Sequence, residues 1–183
     1  MEEIPLTHEA DSTLNTERGR LFRAAMKGDW KSIEGMSSIQ RRIGMNGETT
    51  LHIAAAANKE EFVKKLLAWM GEKNLITAQN VAENVTLTSG NKIGTTALNF
   101  AAAVGNVKIA EAMLDRNIGD LGLPNIATTV EKPVKPLLMA ASHGHGKLVE
   151  LLYHTTEMVG NEEDEIFIAC VKNDLFGKQK QLL

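Results

Sequence analysis

One arrangement of apolar and polar positions recurs along this 183-residue chain. A leucine is followed at i+3 and i+4 by alanines, then by an asparagine or glycine, and then by a second apolar stripe. The arrangement is clearest in TTLHIAAAANKEEFVKKLL from Thr49, and it returns as TALNFAAAVGNVKIAEAMLDRN from Thr96 and as PLLMAASHGHGKLVELLY from Pro136. The spacing predicts two short amphipathic helices in each copy. Because neither helix can bury its apolar face alone, the copies are predicted to stack as a repeat protein.

Two degenerate copies flank these three. In RLFRAAMKGDWKSIEGM the helical pattern breaks at Gly28 and resumes with Trp30 and Ile33, and a fifth copy begins at Ile166 and breaks at Asn173. The predicted fold is therefore all-α, a solenoid of about five helix-turn-helix repeats. Its predicted extent is residues 18–183, with repeats near 18–43, 44–78, 91–118, 132–160 and 162–183, the last of them incomplete.

The two ends of the chain follow the pattern less well. Residues 1–17 show no sustained apolar period and are predicted to be a mobile leader. Gly177 interrupts the second helix of the fifth repeat, which suggests a fragment or a shortened product. Residues 71–94 and 118–135 carry insertions between the second helix of one repeat and the first helix of the next, where they are expected to project as loops without disturbing helix packing.

Charge and composition narrow the possible partners. A net charge of −3 gives no global attraction to nucleic acid or to an anionic membrane. The N-terminus lacks the basic and apolar regions of a signal peptide, and no apolar run approaches the ~20 residues that cross a bilayer. A single cysteine, Cys170, suits a reducing compartment. We therefore expect a cytoplasmic chain that makes no membrane contact of its own.

The residues TTLHIAA, followed by Asn58 and then FVKKLL, resemble the ankyrin signature TPLHxAAxxG with its trailing apolar helix. The third copy has Asn99 in the histidine place, and the fourth has Lys135 and Leu138 in the threonine and histidine places. These departures are expected to weaken hydrogen bonding at the turn. The resemblance implies that His52 ties its repeat to the next one.

More narrowly, NGETTLHIAAAANKEEFVKKLL, GTTALNFAAAVGNVKIAEAMLDRN and IFIACVKNDL look like plant ankyrin-repeat proteins whose repeats precede a C-terminal membrane-spanning domain. The resemblance implies a cytosolic protein-binding module of signalling, defence or stress responses. This sequence contains no such membrane domain, so a place at the cytosolic face of a membrane is implied only if one follows.

Candidate chemistry in the sequence is sparse. His143 and His145 stand at i, i+2 and do not share a helical face, so no metal site is predicted. Cys170 occupies an alanine place and is expected to be a buried, inert thiol. No nucleophile, base and orienting group can be assembled, and no phosphate loop occurs, so the chain is predicted to be non-catalytic, without a cofactor and without a small-molecule substrate. The basic residues between Arg18 and Lys31 alternate with acidic ones and are interpreted as a solvated helix face.

The predicted function is a protein–protein interaction on the concave surface that loops and inner helices form in such a stack. The alternative is the recognition arm of an enzyme whose catalytic part lies outside this chain. Positions that repeat in place but vary in kind are the predicted partner-binding residues: Met45, Asn46, Glu48, Ala56, Ala57, Lys92, Ile93, Thr95, Ala103, Val104, Ser142 and His143.

Overall fold

The computed structural model describes residues 8–73, 75, 86–115, 122–128 and 134–175, with the backbone alone for residues 8–15. These residues form a short 3-10 helix, Leu123–Asn125, and eight α-helices: α1 (His8–Lys27), α2 (Thr50–Ala56), α3 (Glu60–Glu72), α4 (Ala97–Val104), α5 (Val107–Leu114), α6 (Pro136–Ser142), α7 (Gly146–Tyr153) and α8 (Glu162–Lys172). Within these ranges the only β-structure is a single antiparallel bridge between Arg42 and Thr49. The predicted all-α class is confirmed.

The helices form two parallel rows. The inner helices contact one another in the order α1, α2, α4, α6, α8, and the outer helices contact one another in the order α3, α5, α7. Each inner helix from α2 to α6 also packs on the outer helix that follows it. This order of neighbours is that of a linear stack, in which each repeat is covered by the next.

Small side chains on the inner helices set the spacing of the stack. A pair of adjacent alanines is fully buried in each of the three clear copies, because a methyl group lets neighbouring helix backbones approach closely. These pairs are Ala54 with Ala55, Ala101 with Ala102, and Ala140 with Ala141. The outer helices add large buried side chains, among them Phe62, Leu66, Ile109 and Met113.

The inner helices α2, α4 and α6 are each followed by one residue in the left-handed region, which turns the chain into the outer helix. Asn58 (φ 58°), Gly105 (φ 84°) and Gly144 (φ 76°), the predicted breaks between the two helices, adopt this conformation. In the fifth repeat the left-handed residue is Asp174 (φ 51°), and the predicted break at Asn173 is wrong by one position. The reason is that α8 continues through Lys172, so the register of its last turn shifts by one residue.

The shift in α8 is visible in the backbone hydrogen bonds that close the helices. The amide of Lys59 donates to Ala54 O at 3.0 Å, and the amide of Leu175 donates to Cys170 O at 3.0 Å. Cys170 therefore takes the place of the first alanine of the pair rather than the second. It remains buried, and burial raises the pKa of its thiol.

Two expectations for the N-terminal part are corrected. Helix α1 begins at His8, so the part of the predicted mobile leader from there to residue 17 is helical, and residues 1–7 lie outside the described residues. Residues 8–17 contain no proline or glycine to stop a helix, although they lack an apolar period. After Gly28 the chain forms turns rather than a second helix, with the amides of Ile33 and Glu34 both donating to Trp30 O at 3.0 Å.

Candidate interaction surface

The turn before α2 is linked to the next repeat by His52. Its Nδ1 accepts hydrogen bonds from Thr49 N (3.2 Å) and Thr49 Oγ1 (2.7 Å), and its Nε2–H donates to Thr95 O (2.9 Å). Since a backbone amide can only donate, these contacts require the neutral imidazole with its proton on Nε2. Burial lowers the pKa of His52 from 6.5 to about 4, and the charge of Arg42 adds to the effect. The linking role implied for His52 is therefore seen in the structure.

Asn99 makes the same contacts in the third repeat. Its Oδ1 accepts from Thr96 N (3.0 Å) and Thr96 Oγ1 (2.8 Å), and its Nδ2 donates to Val134 O (3.1 Å). The expectation that asparagine weakens the turn is wrong, because a primary amide offers an acceptor and a donor in nearly the places of the two imidazole nitrogens. Thr49 and Thr96 are accordingly both N-caps of a capping box.

The fourth repeat lacks this arrangement, as expected from its sequence. Lys135, the N-cap of α6, makes no side-chain cap. Instead its Nζ donates to Glu157 O (2.7 Å) and Glu162 Oε2 (2.8 Å), so an ion pair joins the fourth repeat to the fifth. Leu138 is half-buried beside this ion pair. The link between repeats is thus retained with different chemistry.

The loops before α2 and α4 contact each other along their length. We call residues 43–48 finger 1 and residues 89–95 finger 2. Lys92 N donates to Asn46 O (2.8 Å) and Lys92 Nζ to Met45 O (2.9 Å). Arg42 Nη1 donates to Gly47 O (2.8 Å) in finger 1 and to Gly90 O (3.0 Å) in finger 2. Arg42 was missed by sequence reasoning, since nothing in the local pattern predicts contacts 48 residues away.

Most of the predicted partner-binding residues are exposed, and they lie in the two fingers and at the C-terminal ends of the inner helices. In the fingers, Met45 is 92% exposed and Ile93 48% exposed; on α4, Val104 is 37% exposed. Two members of the predicted set differ in their environment. Thr95 is 8% exposed, so its side chain is not part of the exposed surface on which it was predicted, and its backbone carbonyl is the acceptor of His52. Glu48 is half-buried, with Oε2 accepting from Asn46 N at 3.1 Å.

The remaining residues are called the variable surface, because they occupy repeated places in which the side chain differs between at least two of the repeats. Every member is exposed or half-buried, whereas the leucine and the alanine pair of each of the inner helices α2, α4 and α6, which we call the scaffold positions, are buried. The variable surface consists of Met45, Asn46, Glu48, Ala56, Ala57, Lys92, Ile93, Ala103, Val104, Ser142 and His143.

The two histidines at the end of α6 bond to backbone carbonyls. His143 Nδ1 lies 2.8 Å from Met139 O, and His145 Nε2 lies 3.0 Å from Ala103 O in the preceding repeat. Their rings are stacked with centroids 6.2 Å apart. Across the described ranges, no three or more His, Cys, Asp or Glu side chains are grouped so that they could hold a metal ion.

A rigid stack of helix pairs that carries different side chains at equivalent exposed positions defines a repeat protein of the protein-binding class. Comparison with known families identifies three ankyrin repeats in residues 21–125. The chain therefore belongs to the ankyrin-repeat family, whose repeats are protein–protein interaction modules. No curated protein matches the sequence. Of the helices in the described part, none is both long and apolar enough to cross a membrane.

Proposed function

We propose that this chain is a non-catalytic protein-interaction module that binds its partner through the variable surface, and that it forms the cytosolic part of a plant signalling, defence or stress-response ankyrin protein. The observation that carries the proposal is the contrast between a uniform scaffold and a variable set of exposed positions. The buried leucine and alanine-pair positions keep their residue type in the three clear copies, whereas Ala57 is replaced by Val104 and His143, and Met45 by Lys92.

The chemistry of the variable surface suits a folded or extended protein partner. It mixes exposed apolar groups, such as Met45, Ile93 and Val104, with one cation, one carboxylate, one amide, one hydroxyl and one imidazole. Protein interfaces have this mixed composition, whereas a phosphate backbone requires a row of cations. The plant assignment is supported by the resemblance of the second, third and fifth copies, and it carries the implication of a membrane tether elsewhere in the full protein.

The experiment is capture of partners from plant cytosolic extract on the immobilised chain, followed by calorimetry with each purified partner. The test variant combines Met45→Ser, Ile93→Ser and Val104→Ser, which removes three exposed apolar side chains without touching a buried residue. The control variant combines Tyr153→Ser and Val159→Ser, which are 40% and 65% exposed outside the variable surface. We expect the test variant to weaken binding about tenfold or more and the control to leave it within about twofold.

Equal binding by both variants would refute the assignment of the surface. The full-length transcript separates the two functional readings. Apolar segments of ~20 residues after the repeats support the membrane-tethered protein, whereas a catalytic domain, or capture of a catalytic subunit, identifies the recognition arm of an enzyme.

A further inference from the structure

An open groove lies between α1 and finger 1, beside the variable surface. Its volume is about 420 Å³, which is within the range of sites that hold several side chains of a ligand. Helix α1 forms one wall and finger 1 the other. The groove is lined by Arg18, Gly19, Phe22, Arg23, Ile43, Gly44 and Met45.

The fold separates the charges that alternate along the sequence of α1. Glu17 forms an ion pair with Arg41 (3.0 Å), and Arg20 donates to the backbone carbonyl of Ser32. In the described part of the chain, Arg18 and Arg23 form neither an ion pair nor a hydrogen bond. The two arginines at the groove are exposed to solvent, as expected from the sequence, and they are not neutralised by Glu17, which adjoins them in sequence and pairs with Arg41 instead.

The acidic residue nearest the groove is already engaged. Glu48 lies behind Gly44, where a Cβ on that glycine would clash with the Glu48 side chain. Its carboxylate accepts hydrogen bonds from Asn46 N (3.1 Å) and Asn91 Nδ2 (3.4 Å), within and between the fingers. Glu48 therefore serves the finger structure, and the guanidinium groups of the groove keep their capacity for an external anion.

The groove combines two cations with exposed apolar groups. Phe22 is 39% exposed and Met45 92% exposed, so both lose water if a ligand covers them. Guanidinium groups bind carboxylates through paired hydrogen bonds, and methionine adapts to differently shaped apolar side chains. Arg18 and Arg23 are separated by about 7.5 Å along the helix axis and about 140° around it, so they lie at opposite edges of the groove. Their long side chains reach over the groove, where they can meet two carboxylates about two residues apart in an extended peptide.

We propose that this groove binds an extended segment of the protein partner in which two acidic residues, about two positions apart, accompany an apolar side chain such as leucine or methionine. The carboxylates pair with Arg18 and Arg23, and the apolar side chain packs on Phe22 and Met45. The inference rests on the proposed function and deepens it, since Met45 belongs both to the groove and to the variable surface.

The test selects ligands from a random peptide display library against the purified chain. The groove variant combines Arg18→Glu and Arg23→Glu, and a matched control reverses two lysines that are exposed on the outer helices, Lys65→Glu and Lys147→Glu. Binding of the selected peptides is measured by fluorescence polarisation at low and high salt. We expect enrichment of acidic–apolar sequences, a loss of affinity of about tenfold or more in the groove variant, unchanged affinity in the control, and weaker binding at high salt.

The outcomes distinguish failure of the groove from failure of the proposed function. Selected peptides that lack acidic residues, or that bind the groove variant as well as the original chain, overturn the groove proposal. If their binding is lost instead in a variant with Ile93 and Val104, which lie outside the groove, changed to serine, the interaction surface stands without the groove. Selection of no peptide overturns the groove proposal, and partner capture then decides the proposed function alone. The groove proposal is also overturned if a single-stranded oligonucleotide binds more tightly than any peptide, because phosphate would then be the ligand of the groove.

Discussion

Replacement of His52 by asparagine should remove much of the pH dependence of stability below pH 6.5 while leaving the fold intact. Asn99 shows that an amide at this position can both accept from the N-cap threonine and donate to the next repeat. The variant therefore keeps the hydrogen bonds and loses only the titrating group and the edge contact of His52 with Phe100, whose ring centroids are 5.7 Å apart.

The magnitude follows from the depressed pKa of His52, which burial lowers from 6.5 to about 4. In the unfolded chain the imidazole binds a proton near pH 6.5, whereas in the folded chain protonation would set an Nδ1–H against the amide of Thr49. The stabilising contribution is therefore complete above pH 6.5 and is lost as the pH falls toward 4. At about 1.4 kcal/mol for each pKa unit, the full effect is about 3 kcal/mol, of which about 2 kcal/mol is lost between pH 7 and pH 4.5.

The assay is urea denaturation at pH 7 and at pH 4.5, followed by the fluorescence of the two tryptophans. Both report on the region of interest, since Trp30 packs edge-on against Phe62 (5.5 Å) and Trp69 lies in α3. At pH 7 the asparagine variant should lie within about 1 kcal/mol of the original chain. Between the two pH values it should lose about 2 kcal/mol less than the original chain does.

An identical loss of stability in both proteins would refute the reasoning, because it would place the pH dependence in groups other than His52. A His52→Ala variant provides a second reference. It should be destabilised at both pH values, since it leaves Thr95 O without its donor and Thr49 without its reciprocal cap.

Three further predictions concern single positions. Gly105→Ala should lower the free energy of unfolding by about 2–3 kcal/mol, because its φ is 84° and its new Cβ would collide with the His145 ring. Gly35→Ala is the control, since Gly35 also has a φ of 84° but has open space around it, and it should lower the free energy of unfolding by only about 1 kcal/mol. Asn99→Leu should cost about 2–3 kcal/mol in urea denaturation, since buried partners on both sides lose their hydrogen bonds. Arg42→Ala should change global stability by about 1 kcal/mol or less but should speed hydrogen–deuterium exchange in both fingers. Equal costs at the two glycines, an asparagine variant as stable as the original chain, or unchanged finger exchange would contradict the corresponding argument.

The departures from expectation in this protein occur where distant contacts decide the outcome. The sequence pattern predicted the alanine pairs and the breaks after α2, α4 and α6, and the family resemblance implied the link through His52. The pattern also picked out eleven positions that the structure leaves exposed or half-buried. It misjudged Asn99, because the equivalence of an amide and an imidazole depends on the position of Val134 O, 35 residues further on. It also placed Thr95 on the surface, since side-chain burial there depends on the neighbouring repeat.

The sequence by itself determined the repeat architecture, because helix faces follow from local spacing and each of the three clear copies supplies its own alanine pair and turn residue. Only the tertiary structure decided how the copies join. The bridge of Arg42 between the fingers and the separation of Glu17 from Arg18 and Arg23 arise when residues far apart in sequence are brought together by stacking. A periodic pattern of apolar residues predicts that the repeats stack. The polar contacts between two stacked repeats depend on side-chain positions in both repeats at once.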